Sequence, residues 1–317
     1  MRLSFTSLFL LFLLVIQANA SIASFFNDIY DNLQNQINLI TEKNLKKDVS
    51  FGSSNGSKLD VYYNKKETSK SKPVVIFVHG GGWIMGDKNE ISKIGSLLMR
   101  NNYVAVFPNY PLYPKGNFDD MVDDVYKTVN WTYKNISKYG GNKDRIILLG
   151  YSAGAHLSAL TTVKATLKLK NKGVALSPLP KLEKLVLISG PYDFDDYDAV
   201  TKFLTGSDAD NGIAERLVSL LVNSNDIGPT DILKRYASNS IKDFGVPKIT
   251  FYYSDADTLI YESSANNLMK QIRRVSPNTL INYVFIQHRG FDHGTLINGA
   301  RTEEKEKEQM FLDIVKM

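Results

Sequence analysis

Residues 145–160 read RIILLGYSAGAHLSAL. Ile146 to Leu149 is a short aliphatic run of the kind that forms a strand buried on both faces. Ala155 to Leu167 has the composition of a helix packed against such a strand. Between them stands Gly150-Tyr151-Ser152-Ala153-Gly154. The pattern G-x-S-x-G arises by chance too often to decide anything alone, and its setting is what carries weight. A sharp turn from buried strand into helix forces the central serine into strained backbone geometry and leaves its hydroxyl exposed above the sheet. Small neighbours let strand and helix approach at the bend. Ser152 is therefore the candidate nucleophile.

The same rhythm extends in both directions. Val74 to Val78, Tyr103 to Phe107, Leu185 to Ile188, Ile249 to Tyr253 and Tyr283 to Ile286 are further buried-strand runs. Phe118, Met121, Val122, Val125, Val129 and Ile136 recur at helical spacing, and Thr302 to Val315 reads as a last helix. Strands alternating with helices predict an α/β class with a doubly wound, mostly parallel sheet. Before this region, residues 24–47 read as an amphipathic helix through Phe25, Phe26, Ile29, Tyr30, Leu33, Ile37, Leu39 and Ile40. A polar turn, Gly52 to Ser57, then leads into a short strand from Leu59 to Tyr63. The stretch from Gly190 to Lys248 is too long for an ordinary connection and is expected to hold a cap insertion at about 195–245.

A serine nucleophile needs a base, an orienting acid and donors for the oxyanion. His79-Gly80-Gly81-Gly82-Trp83 ends the Val74 to Val78 strand, and its glycines can turn backbone N–H groups inward. The amides of Gly81, Gly82 and Ala153 are the candidate oxyanion hole. His79 is better read as a pin for that loop than as the base. Of the remaining histidines, His156 lies just past the serine on its helix and reads as a packing or supporting residue. His293, in Gly290-Phe291-Asp292-His293-Gly294, is preferred as base over His288, because a glycine-flanked loop can swing the ring over Ser152. After Ile249 to Tyr253 come Ser254-Asp255-Ala256-Asp257, and Asp257, deeper in the loop, is preferred as acid over Asp255. The resulting order Ser152, Asp257, His293 is that of an α/β-hydrolase.

Composition narrows the function further. The chain has 317 residues, no cysteine and a formal net charge of +5. Cysteine nucleophiles and cysteine-bound metals are excluded. The lysines are dispersed and not interleaved with aromatics, so a nucleic-acid partner is not expected. Arg2, the apolar run Leu8 to Ile16 and Ala18-Asn19-Ala20 read as a secretory signal peptide over 1–20, with a hydrolase domain over 21–317. That implies a secreted or lumenal protein. Only if the segment is retained does it imply an anchor in the membrane of the endoplasmic reticulum. In such a setting the sequons at Asn55, Asn130 and Asn135 become glycosylation candidates.

Several stretches together resemble the prenylcysteine methylesterase-like and carboxylesterase group of α/β hydrolases, relatives of the hormone-sensitive lipases. They are HGGGWIMGDK (His79 to Lys88), NYPLYP (Asn109 to Pro114), YGGNKDRIILLGYSAGAHL (Tyr139 to Leu157), SGPYDF (Ser189 to Phe194) and SDADTLI (Ser254 to Ile260). The resemblance implies the same roles for Ser152, Asp257, His293, Gly81, Gly82 and Ala153. It allows short-chain carboxylesters and prenylcysteine methyl esters. The insertion 195–245 and the helix with Phe25 and Phe26 would frame a hydrophobic pocket that favours an apolar ester, and the acyl transfer needs no metal or organic cofactor. Arylformamide and acetyl or feruloyl polysaccharide esters are the alternative substrates, and a non-catalytic binding protein is the alternative class. Two departures stand out. Tyr253-Ser254 replaces the group's usual His-Gly before the acid, and Asn109-Tyr110-Pro111 replaces Asp-Tyr-Arg.

Overall fold

The computed structural model describes residues 30–54, 56–194, 220 and 226–317. The segment read as a signal peptide, Asn55, and residues 195–219 and 221–225 of the expected cap lie outside them. The chain runs α1 (30–41), β1 (Leu45–Ser50), β2 (Lys58–Tyr62), β3 (Lys72–Val78), α2 (Ser92–Arg100), β4 (Val104–Pro108), α3 (Phe118–Asn135), β5 (Gly141–Tyr151) and α4 (Ala153–Thr166). A small hairpin, β6 (Lys170–Asn171) and β7 (Val174–Ala175), leads to β8 (Lys184–Ile188). Then follow α5 (Pro229–Lys234), β9 (Lys248–Ser254), α6 (Glu262–Val275), β10 (Leu280–Ile286), α7 (Thr295–Arg301) and α8 (Lys305–Lys316).

The main sheet has eight strands in the order β1-β2-β4-β3-β5-β8-β9-β10. β2 pairs antiparallel with β1 and with β4, and the other pairs are parallel. This is the α/β-hydrolase fold expected from the sequence. The runs lack alternation because both faces are covered. On β3, Val74, Ile76 and Val78 join the apolar layer that includes α3, α4 and α6, while Val75 and Phe77 join the layer under α2, α7 and α8. On β5, Ile146 and Leu148 face the first layer and Ile147 and Leu149 the second. Each such side chain contributes about 1.5–3 kcal/mol on burial. In register, Val78 of β3 lies beside Gly150 of β5, and Tyr151 of β5 beside Ile188 of β8. The chemically important loops therefore leave the sheet side by side at one edge.

Three elements differ from the sequence reading. The first helix ends at residue 41, and β1 already begins at Leu45. Its apolar residues Tyr30, Leu33, Ile37 and Ile40 are exposed, while Asn35 and Leu39 are buried. Polar contacts dock it on α2: the Ser92 hydroxyl donates to the Asn35 carbonyl at 2.7 Å, and the Asn38 amide donates to Ser96 at 3.1 Å. The last helix begins at Lys305, three residues later than expected, and a separate helix, α7, precedes it; between the two Glu303 adopts φ 65° and its carboxylate meets Lys93 at 3.0 Å. Of the expected cap, the described part from Ile227 onward packs as flanking layer: α5 lies against α4 and α6, and Ile227, Ile232, Leu233, Ile241 and Phe244 are core. No helix among the described residues is long and apolar enough to cross a membrane.

Candidate active site

Ser152 sits between β5 and α4 at φ 52°, ψ −121°. A non-glycine residue in this region costs about 1–3 kcal/mol, so the surroundings must hold it. Its N–H donates to the Ile188 carbonyl at 2.8 Å, and its carbonyl accepts from Ala155 N at 2.9 Å and His156 N at 3.1 Å. The bend is tight enough to require glycine at position 154, where a Cβ would stand 2.1 Å from the Val78 carbonyl oxygen.

The three residues singled out from the sequence meet. His293 Nε2 lies 2.8 Å from Ser152 Oγ, and His293 Nδ1 lies 2.8 Å from Asp257 Oδ2. The Asp257 carboxylate is fully buried, and its Oδ1 accepts from Leu259 N at 3.0 Å and Ile260 N at 2.9 Å. With both oxygens engaged, Asp257 is fixed as acceptor for Nδ1–H. That leaves Nε2 free to accept from the serine hydroxyl. The rival residues find each other instead. Asp255 Oδ2 accepts from His288 N at 2.8 Å, and the His288 side chain is 91% exposed. They brace the surface of the loop and take no part in the Ser152 chain.

Two supports of the histidine loop were not read from the sequence. Tyr151 donates its hydroxyl to the His293 carbonyl at 3.1 Å, and Ser254 donates to the Phe291 carbonyl at 2.6 Å. Ser254 thus has a task of its own where the resembling group carries glycine. Tyr151 is legible only as the variable position of the G-x-S-x-G pattern, which points to no contact with a loop 142 residues later.

The Gly-rich loop follows β3. Gly81 has φ 111°, and a Cβ there would stand 2.1 Å from the Met85 carbonyl oxygen. Gly82 and Trp83 continue at φ 57° and 63°. His79 is pinned as expected. Its ring stacks on Tyr110 at 4.4 Å, Nδ1 donates to the Gly80 carbonyl at 2.8 Å, and burial lowers its pKa. Asn109, which stands where the resembling group carries aspartate, holds the turn that follows the Gly-rich loop. Its amide donates to Asp87 Oδ2 at 2.8 Å, and its carbonyl accepts from Lys88 N at 2.8 Å. Lys88 in turn buries its ammonium against Asp60 at 2.8 Å and reaches Asp48 at 2.9 Å. Ala153 is the first residue of α4, so its N–H has no intrahelical acceptor and stands beside Ser152. Beside the Gly-rich loop a pocket of about 410 Å³ is lined by Ile84, Tyr110, Pro111, Leu112, Tyr113 and Pro114, among others.

Comparison with known proteins places this site in context. A probable isoprenylcysteine alpha-carbonyl methylesterase of Arabidopsis thaliana is 36% identical over 133 residues, covering 42% of this chain and 28% of that protein. A kynurenine formamidase of Danio rerio is 34% identical over 146 residues, covering 46% of each chain. Esterase LipC of Mycobacterium tuberculosis is 26% identical over 262 residues, 80% of this chain and 61% of that one. The chain thus spans less than two thirds of the length of these relatives. Among solved structures, esterase B from Lactobacillus rhamnosis superposes with a TM-score of 0.68 at 17% identity, covering 95% of this chain and 93% of that one. A thermostable esterase from Pseudomonas putida superposes at 0.61 with 19% identity, covering 84% and 79%. At these identities the likeness is one of fold. The family model described as BD-FAE matches residues 59–272, a span that holds the Gly-rich loop, Ser152 and Asp257. The structure brings His293 to them from outside that span. The chain is a serine-hydrolase-type α/β hydrolase and belongs to the BD-FAE family.

Proposed function

We propose that the protein hydrolyses small, apolar carboxylic esters through an acyl-enzyme on Ser152. The observation that carries this is the unbroken chain Ser152 Oγ–His293–Asp257, two contacts of 2.8 Å, hung on a strained elbow. As Ser152 Oγ attacks the ester carbonyl, His293 Nε2 takes its proton, and Asp257 stabilises the imidazolium. The amides of Gly81, Gly82 and Ala153 receive the oxyanion, each worth roughly 2.7–4 kcal/mol. The tetrahedral intermediate collapses, and the alcohol leaves with the proton from His293. Water, deprotonated by His293, then attacks the acyl-serine and releases the acid.

A small apolar ester is supported by the likeness to esterase B, which has also been solved with a tributyrin phosphonate inhibitor. The Arabidopsis relative supports a prenylcysteine methyl ester. The formamidase relative supports an N-formyl arylamine, though the amino-terminal segment favours the secretory pathway, as do the sequons. The test has two parts. A fluorophosphonate should label the wild type on Ser152 and leave Ser152→Ala unlabelled. A panel of esters of graded acyl and alcohol size, with prenylcysteine methyl ester and an aryl formamide, should show turnover of the apolar esters. A protein neither labelled nor active on any of them is a binding protein, and the proposal is then wrong.

A further inference from the structure

His156 stands four residues beyond the nucleophile in the first turn of α4, and it is fully buried. Its ring makes two hydrogen bonds whose partners leave no freedom of role. The Trp83 indole N–H, 3.2 Å from Nδ1, can only donate. The Ile227 carbonyl, 2.7 Å from Nε2, can only accept. Nδ1 therefore carries a lone pair and Nε2 the proton. A doubly protonated ring would set N–H against N–H at Trp83. The aromatic surroundings favour the same neutral form, with Trp83, Phe118 and Phe194 edge-on at 5.2, 5.4 and 5.2 Å. Burial drives the pKa down to about 4.

The partners belong to the parts of the molecule that the catalytic serine must work with. Trp83 is the residue after Gly82 and shares its left-handed backbone. Its indole is fully buried, packed on Phe118 and hydrogen-bonded to His156, and so anchors the end of the loop that carries the Gly82 amide. Phe194 and Ile227 flank residues 195–226, the two ends of the long connection between β8 and α5. One imidazole thus ties the Gly-rich loop and both ends of that connection to the helix that follows Ser152. We infer that His156, as the Nε2–H tautomer, is a positioning residue that fixes the direction of the Gly82 amide through Trp83 and locks the base of the connection to the nucleophile helix.

This rests on the reading of Gly82 as an oxyanion donor, so the test needs one arm independent of turnover. In ¹⁵N-histidine spectra of the intact chain, His156 should show a protonated Nε2 and an unprotonated Nδ1, unchanged between pH 8 and 5. The opposite tautomer, or titration within that range, overturns the assignment whatever the enzyme does. The second arm is a cycle. His156→Phe and Trp83→Phe keep ring bulk and remove the bond from either side. Each should lower kcat on a small aryl ester about 10–100-fold, below the loss of a whole oxyanion donor, while KM stays within about threefold because ground-state binding is spared. The double variant should be no worse than the poorer single one. His156→Gln, with a donor and an acceptor on one amide, should recover part of the loss and also serves if His156→Phe does not fold. Losses that multiply in the double variant, a loss confined to KM, or a His156→Phe with kcat intact would each overturn the inference. Failure of the esterase reading itself is distinguishable, because Ser152 would then escape fluorophosphonate in the wild type.

Discussion

Lys88→Met tests whether the support beneath the Gly-rich loop is electrostatic. Lys88 is 3% exposed and Asp60 not at all, and their side chains meet at 2.8 Å. Asp48, the other partner of the ammonium, has a side chain 59% exposed and can return to water. The cost of removing the cation therefore falls on Asp60. Removing one member of a buried pair costs about 3–5 kcal/mol, because the other charge is left without compensation. Asp60 keeps one donor, Asp48 N at 2.8 Å, and methionine fills most of the vacated volume, so the lower end applies, about 3 kcal/mol. Against a total of about 5–15 kcal/mol for a domain, the loss should be plain in urea unfolding as a lower midpoint with unchanged slope.

The pH dependence has a definite sign. Burial holds the Asp60 carboxyl above its usual range, with the Lys88 hydrogen bond and charge opposing. Without Lys88 it rises further. The folded state then binds the proton more tightly than the unfolded state does. The penalty is absent below the unfolded value, near 3.9, grows as pH climbs from there to the folded one, and is full above it. The gap between wild type and Lys88→Met should therefore narrow on acidification. Lys88→Met with Asp60→Asn should recover most of the loss at neutral pH. A loss below about 1 kcal/mol, or a gap indifferent to pH, would refute a buried charge pair as the support.

Asp257→Asn should lower kcat by about 10⁴, since an amide there no longer holds the productive tautomer of His293. Asp255→Ala and His288→Ala, which break only an exposed contact, should stay within about twofold by the same assay, as surface changes do. A dead His288→Ala beside an active His293→Ala would reverse the assignment. For the amino-terminal segment, Edman sequencing of protein collected from the medium of a secreting host should begin near Ser21, and glycopeptide mapping should find glycan at Asn130 or Asn135. The side-chain amides of both are half-buried and donate to carbonyls one turn back. Cytosolic protein that keeps Met1 would overturn the secretory reading.

Some of this molecule was legible residue by residue. Val74 to Val78 and Ile146 to Leu149 are apolar at every position because helices cover both faces, and that requirement is written in consecutive residues. The elbow at Ser152 is likewise local: a strand, a turn of small residues and a helix within sixteen positions. Two helices that were not singled out, α2 and α6, are also local in origin. Ala265, Leu268, Met269 and Ile272 of α6 repeat at helical spacing and are buried.

Other features needed the folded chain. Asp255 and Asp257 are two residues apart and alike in chemistry, and His288 and His293 share one loop. The sequence could rank them by their place in the loops, but only the folded loops that leave β9 and β10 side by side show one pair meeting Ser152 and the other bracing the surface. The outward apolar stripe of α1 could not be foreseen, because Asn35 and Asn38 find partners on α2 some 58 residues away, and those bonds decide which face is buried. Glu303, between α7 and α8, meets Lys93 from another part of the chain. Hydrophobic periodicity records a residue's average surroundings along one element. Which polar group meets which depends on how elements distant in sequence are set against one another, and only the tertiary structure decides that.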